Sequence, residues 1–200
     1  MIQNLEPSSE DDMLMEWALA EVHRFRGVVP NELIPDELIG RVIANPRRPL
    51  TGDDRQCLIA AIRWYRNGML HDLLPLHLTW SKGDLPASDL DDVMFHWHNP
   101  AFSAATPSRR LGDLAPNADK ITDGEFVQRL RRTRFDFDEM QMRGKPILVA
   151  TNLSGPYLLI EGTTRSLTIF LERHTGRPTM KHVPICIGVG DRLREWSQYS

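Results

Sequence analysis

The window Leu158-Leu-Ile-Glu-Gly-Thr-Thr-Arg-Ser-Leu-Thr168 decides how the chain is read, because in it a short apolar run gives way to a helical pattern through one glycine. Leu158 to Ile160 read as a buried strand. Over residues 163–174, Leu167, Phe170 and Leu171 share one face of an amphipathic helix that ends at Gly176 and Pro178. A strand therefore delivers the chain through Glu161-Gly162 into the first turn of a helix. A helix start presents unpaired amides and a partial positive charge, and Gly162 permits close backbone approach. Thr163 and Thr164 add hydroxyl donors, and Arg165 can fork onto phosphate oxygens. A phosphorylated ligand satisfies all of them. The same residues also suit a plainer reading, in which Thr163 or Thr164 caps the helix and Arg165 pairs with a surface carboxylate.

Outward from this window the last third alternates strand and helix. Residues 145–151 and 157–162 are apolar runs separated by the turn residues NLSGP, residues 182–189 form another apolar run, and DRLREWSQY closes as a helix or helical tail. Further upstream, LHLTW reads as a short strand followed by the turn residues SKGDLP, then a helix from Ser88 to about His96. The stretch HNPAFSAATPSRRLGDLAPNAD reads as a long loop, and Thr122-Asp-Gly-Glu125 fits a capping box opening a helix through Arg132. The first seventy residues read as helices. One begins at a Ser9 cap and runs to Arg26, a second spans residues 35–44, and a third starts near Asp53 and is closed by Gly68.

Composition narrows the classes. The 200 residues are 41% hydrophobic, 26% charged and 8% aromatic, which fits one ordinary domain with a helical extension. With 24 Lys plus Arg against 27 Asp plus Glu, the net charge of −3 lacks the overall footprint of a dedicated duplex-DNA binder, leaving room for a local basic patch. No apolar run reaches the roughly 18 to 20 residues a bilayer span needs, so no membrane partner is expected. The residues after Met1 are polar and acidic, which argues against a signal peptide. Cys57 and Cys186 each lie in an apolar segment, the pattern of buried free thiols, so the expectation is a cytoplasmic protein without a disulfide.

Gly162-Thr-Thr-Arg165-Ser-Leu-Thr168 resembles the Gly-x-x-Arg-x-x-Ala nucleotide-binding motif of the ParB/sulfiredoxin superfamily. Gly144-Lys-Pro-Ile-Leu-Val149 matches that family's G-x-x-x-P-I-x-V strand, shortened by one residue, and His182-Val-Pro-Ile-Cys-Ile187 resembles its closing V-P-V-I-V strand. The resemblance covers roughly residues 76–190. It implies a small mixed sheet with helices, and activities that include cleavage of nucleoside triphosphates, ATP-dependent sulfinate reduction, phosphorylation of free serine and DNA cleavage. Departures from the pattern narrow these. Thr163 stands where sulfiredoxins carry Cys and where partition proteins carry Glu, so sulfinate reduction and chromosome partition, the latter with its helix-turn-helix domain, are not expected. The stand-alone serine-kinase-like form, Asp-Gly-His-Thr-Arg, is locally nearest, with Glu161 for its Asp and Thr163 for its His.

If phosphoryl transfer occurs, the resemblance makes Glu161 the candidate for holding Mg²⁺ or accepting a proton, with Arg165 and the amides of Thr163 and Thr164 on the phosphates. A carboxylate at a strand end also suits a solvent-facing or capping role. Arg109 or Arg110 fills the place of the family's arginine segment ahead of the central strand. His96-Trp-His98 admits a two-histidine metal reading and a plainer helix-end reading. Arg129, Arg131, Arg132 and Arg134 form the main basic concentration, suited to phosphates, to a nucleic-acid strand or to a solvated face. Trp17, Phe25, Trp64 and Tyr65 read as core or interface aromatics that cover the sheet or join a homodimer.

The sequence thus leads to an α+β chain with a helical N-terminal extension over residues 1–75 and a ParB/sulfiredoxin-like domain over residues 76–200. Its expected ligand is a nucleoside triphosphate, ATP or CTP, with Mg²⁺, held at Gly162, Thr163, Thr164 and Arg165, with hydrolysis or phosphotransfer to follow. The alternative from another class is a nucleic-acid-binding regulatory module, or a ParB-like nuclease as its enzymatic version.

Overall fold

Alternating burial along the strands determines the layering. A computed structural model of the protein describes residues 1–46, 48–95, 105–117, 120, 124, 144–176, 180–196 and 199. Strands β1 (Gln3–Pro7), β2 (Thr79–Pro86), β3 (Met94–Phe95), β4 (Ile147–Ala150), β5 (Leu158–Glu161) and β6 (His182–Val189) form one mixed sheet in the order β1-β2-β6-β4-β5-β3. The pairs β4/β6 and β3/β5 are parallel and the others antiparallel, so the chain is of the α+β kind expected. Because successive side chains point to opposite faces, Ile147, Val149, Leu158, Ile160 and Cys186 face one layer and Leu148, Ala150, Leu159, Ile185 and Ile187 the other.

The first layer is helical, made of α1 (Glu10–Glu21), α2 (Asp36–Ala44), α3 (Gly52–Tyr65) and α4 (Asn67–Leu73). Ser9 caps α1 by accepting from the Asp12 amide at 3.1 Å, and Met13, Leu14, Trp17 and Ala18 then meet the sheet. Thr51 and Asp54 form a full capping box on α3. On the second face a helical turn α5 (Leu114–Asn117) and the helix α6 (Thr163–His174) bury Leu114, Leu167, Ile169 and Phe170. Each such side chain contributes on the order of 1.5–3 kcal/mol by leaving water. Trp17 and Phe25 are core residues as expected, Tyr65 packs edge-on to Phe25 at 5.6 Å, and Trp64 lies exposed. Cys186 is a buried free thiol, pushed by burial up to about 12, while Cys57 is free and half-buried.

Several local expectations are corrected. The residues SKGDLP are no turn but the body of β2, paired along its whole length with β6. Gly83 serves close approach there, since a Cβ would stand 2.8 Å from the Ile2 side chain and 3.0 Å from the Gln3 carbonyl of the adjoining strand. That strand, β1, has no signal in the sequence, because all five of its residues are exposed and carry no alternating pattern. Ser88 opens no α-helix: Ala87–Asp92 is a 3₁₀ segment that hands over to β3. Gly68 does not close the third helix, which breaks at Arg66 and restarts as α4 with Gly68 inside it. His96, His98, the Thr122/Glu125 capping box and the arginines 129, 131, 132 and 134 lie outside the described residues. No helix among the described residues is long and apolar enough to cross a membrane.

Candidate anion site at the turn between β5 and α6

β5 runs directly into α6 because Gly162 takes the left-handed conformation, at φ 94°. Space demands glycine as well, since a Cβ would lie 2.9 Å from Cα and Cβ of Pro146. The Ser166 amide closes the first turn on the Gly162 carbonyl at 2.9 Å, and no side chain caps the helix. The half-buried Thr163 and Thr164 stand on the first turn, whose amides form the positive end of a 12-residue helix.

Arg165 points inward rather than to the surface. Its guanidinium donates to the carbonyl of Gly144 and stands 3.7 Å from Glu161, with the side chain 10% exposed. Gly144, at φ 77°, is pressed against α1, and a Cβ on it would come within 2.1 Å of the Glu16 carbonyl oxygen. The Lys145 amide next to it donates to Glu16 Oε2 at 2.9 Å. One loop therefore links α1 to the start of α6.

Glu161 is 19% exposed at its side chain and accepts from the Gly162 amide. Burial, reinforced by the charge of Glu21, pushes its carboxyl above the usual glutamate range, while Arg165, Arg66 and the Gly162 amide oppose that rise. Glu21 belongs to α1, is almost wholly buried and binds both Arg66 and, at 3.1 Å, Arg24. The seam between the helical layer and the β5–α6 turn thus holds Glu21, Glu161, Arg24, Arg66 and Arg165. Of these, Glu21, Arg24 and Arg66 carry no sequence signal, since no motif surrounds any of them.

The topology separates the two upstream arginines. β3 runs parallel to β5, with Phe95 opposite Leu159, so the carboxyl end of β3 and Glu161 share one end of the sheet. Arg109, at φ 62°, is fixed there by donating Nε and Nη2 to the Phe95 carbonyl at 3.2 and 2.7 Å. Arg110 instead pairs with Asp92 at 2.9 Å. In sheets with parallel strands, ligands favour the carboxyl ends of such strands.

Phosphate and metal fit this turn unequally. Uncapped amides and half-buried hydroxyls suit phosphate oxygens. Mg²⁺ demands an open, ionised oxygen face in octahedral geometry. Glu161 is already engaged by Gly162 and Arg165 and favours its neutral form, so it does not fit that role. Among the described residues no group of three His, Cys, Asp or Glu side chains converges as a metal site. Comparison of the chain with protein-family models, with curated proteins and with solved structures finds no match in any of the three.

Proposed function

We propose that the turn from Glu161 to Arg165 binds the phosphates of a nucleoside triphosphate, ATP or CTP, in a domain built on the ParB/sulfiredoxin plan that its motifs resemble. The observation that carries this reading is the uncapped start of α6 behind Gly162, at the carboxyl end of the parallel strands β3 and β5. The amides and hydroxyls of Thr163 and Thr164 contact phosphate oxygens. Arg165 supplies positive charge from beneath the turn while holding Gly144, and Arg109 borders the site from β3. Glu161, a carboxyl held towards its neutral form, is placed to hold or pass a proton during hydrolysis or phosphotransfer. No step is assigned to a metal at Glu161.

A thermal-shift panel of ATP, CTP, GTP and UTP tests this, since a ligand that binds only the folded chain raises Tm by mass action. The expected result is a rise with at least one triphosphate, and its loss in Thr164→Glu. That variant keeps the helix, because a carboxylate is favourable in a first turn, yet it repels phosphate from the amides. No shift with any triphosphate, or a full shift retained in Thr164→Glu, overturns the reading.

A further inference from the structure

The loop that enters β4 touches the phosphate turn on both sides of Lys145. Gly144, on one side, gives its carbonyl to the Arg165 guanidinium. Pro146, on the other, lies so near Gly162, the residue before the first turn of α6, that a Cβ there would stand 2.9 Å from the Pro146 Cα. The strand register agrees, since Ile147 pairs with Glu161 in the antiparallel ladder of β4 and β5, and the next step outward sets Pro146 beside Gly162. Successive Cα atoms are about 3.8 Å apart, so Lys145 starts one residue step from the contact that fixes the beginning of α6.

Glu16 of α1 holds Lys145 in two unequal ways. Its Oε2 accepts from the Lys145 amide at 2.9 Å, which fixes the backbone, whereas its Oε1 stands 3.8 Å from Nζ, beyond hydrogen-bond length. The ammonium also lies on the wetter side of the pair, with the Lys145 side chain 35% exposed and that of Glu16 16%. A loose, partly solvated ion pair is worth little, and lysine carries its charge as a point on a flexible stem. The Lys145 head can therefore leave Glu16 while the amide contact keeps the loop in place. We propose that Lys145 is a phosphate ligand of this site, resting on Glu16 in the free protein and donating its ammonium to the bound triphosphate, an inference that rests on the phosphate reading of the β5–α6 turn. Arg165 acts from beneath the turn, and Lys145 adds a movable charge beside it. An ammonium meets phosphate oxygens and not the base, so what it selects is a polyphosphate group.

The test is calorimetric titration of the full chain with inorganic tripolyphosphate, ATP and CTP, on wild type, Lys145→Gln, Lys145→Arg and Glu16→Gln. Glutamine at position 16 can still accept from the Lys145 amide but no longer attracts the ammonium. Expected are binding about tenfold weaker in Lys145→Gln, by the same factor for every probe that wild type binds, recovery to within a few-fold in Lys145→Arg, and binding as tight or tighter in Glu16→Gln. The urea midpoint of Lys145→Gln should stay close to that of wild type, because the pair it breaks is loose and partly solvated. If Lys145 serves only to hold α1, Lys145→Gln and Glu16→Gln weaken binding alike, and the inference is overturned. If wild type binds and Lys145→Gln binds equally well, Lys145 is no part of the site while the turn remains one. If wild type binds none of the probes, the inference and the reading beneath it fall together.

Discussion

Two sets of ion pairs tie α1 to its neighbours, and they differ in what surrounds them. On the rim, Arg63 reaches Glu10 at 2.8 Å, Arg55 reaches Asp12 at 3.2 Å and Lys82 of β2 reaches the same Asp12 at 3.6 Å, with water on every side chain. In the seam, Glu21 is 3% exposed at its side chain, and Arg165 and Glu161 are little more open. The carboxyls respond in opposite directions. Partial burial pulls Asp12 upward, but Lys82, Ser9 and Arg55 outweigh it and hold the group below the usual aspartate range. Glu161 is pushed above the usual range because burial and Glu21 win over its arginines. Ion pairs in water can be lost cheaply, whereas a desolvated pair leaves a stranded charge when one member goes. The seam is therefore the region where charge is held at a cost and is available for chemistry.

The largest effect comes from prising the seam open. Gly144→Ala puts a methyl group where the Glu16 carbonyl already stands and forces a non-glycine residue to φ 77°. Overpacking and left-handed strain together should cost about 3 to 4 kcal/mol. Urea denaturation is expected to show that loss, and a variant as stable as wild type would mean that α1 does not bear on the loop that holds Arg165.

Next in size is the proton on Glu161. A carboxyl raised in the folded state stabilises fully below the ordinary glutamate range, and that contribution is lost as pH rises through its raised value. Glu161→Gln fixes the neutral form, so it should be more stable than wild type at neutral pH and should flatten the decline in urea midpoint on going from acid to neutral. Asp12 carries the opposite sign: its contribution is present above the ordinary aspartate range and is lost as pH falls through its lowered value. Asp12→Asn should therefore lose stability at neutral pH and little in acid. If both variants shift the profile in the same direction, the contrast between seam and rim is wrong. On the functional side, Glu161→Gln is expected to abolish phosphoryl transfer while leaving triphosphate binding intact.

How much of this was legible in the sequence follows the same division between local and long-range causes. The β5–α6 turn, the Ser9 cap and the apolar strands β4 and β6 are written in neighbouring residues, so periodicity and a glycine suffice to find them. β1 and the body of β2 were not legible, because the role of Gly83 is to admit a strand some eighty residues away. The site divides likewise. Glu161, Gly162 and Arg165 announce themselves by spacing, but the partners that bear on the charge state of Glu161, Glu21 at the end of α1 and Arg66 at the break between α3 and α4, are marked by no local motif. The inward placement of Arg165 has no local signal, since it depends on the carbonyl of Gly144, 21 residues away in sequence.

The smallest effect is expected on the rim, and it is the control that gives the seam its meaning. Arg63 and Glu10 are each about two-fifths exposed, so their attraction is screened by water and offset by the entropy of fixing two long side chains. A double-mutant cycle with Arg63→Ala and Glu10→Ala should return a coupling of about 0.2–1 kcal/mol, shrinking further when salt is added. Asp11, 3.7 Å from Arg63, partly replaces Glu10 in the single variant and draws the coupling toward the lower bound. A cycle through Glu21 and Arg66 run in parallel should give a larger coupling that added salt barely changes, because water is excluded from Glu21. Equal couplings with equal salt dependence would mean that the seam is as wet as the rim, and Glu161 would then have no desolvated site in which to hold its proton.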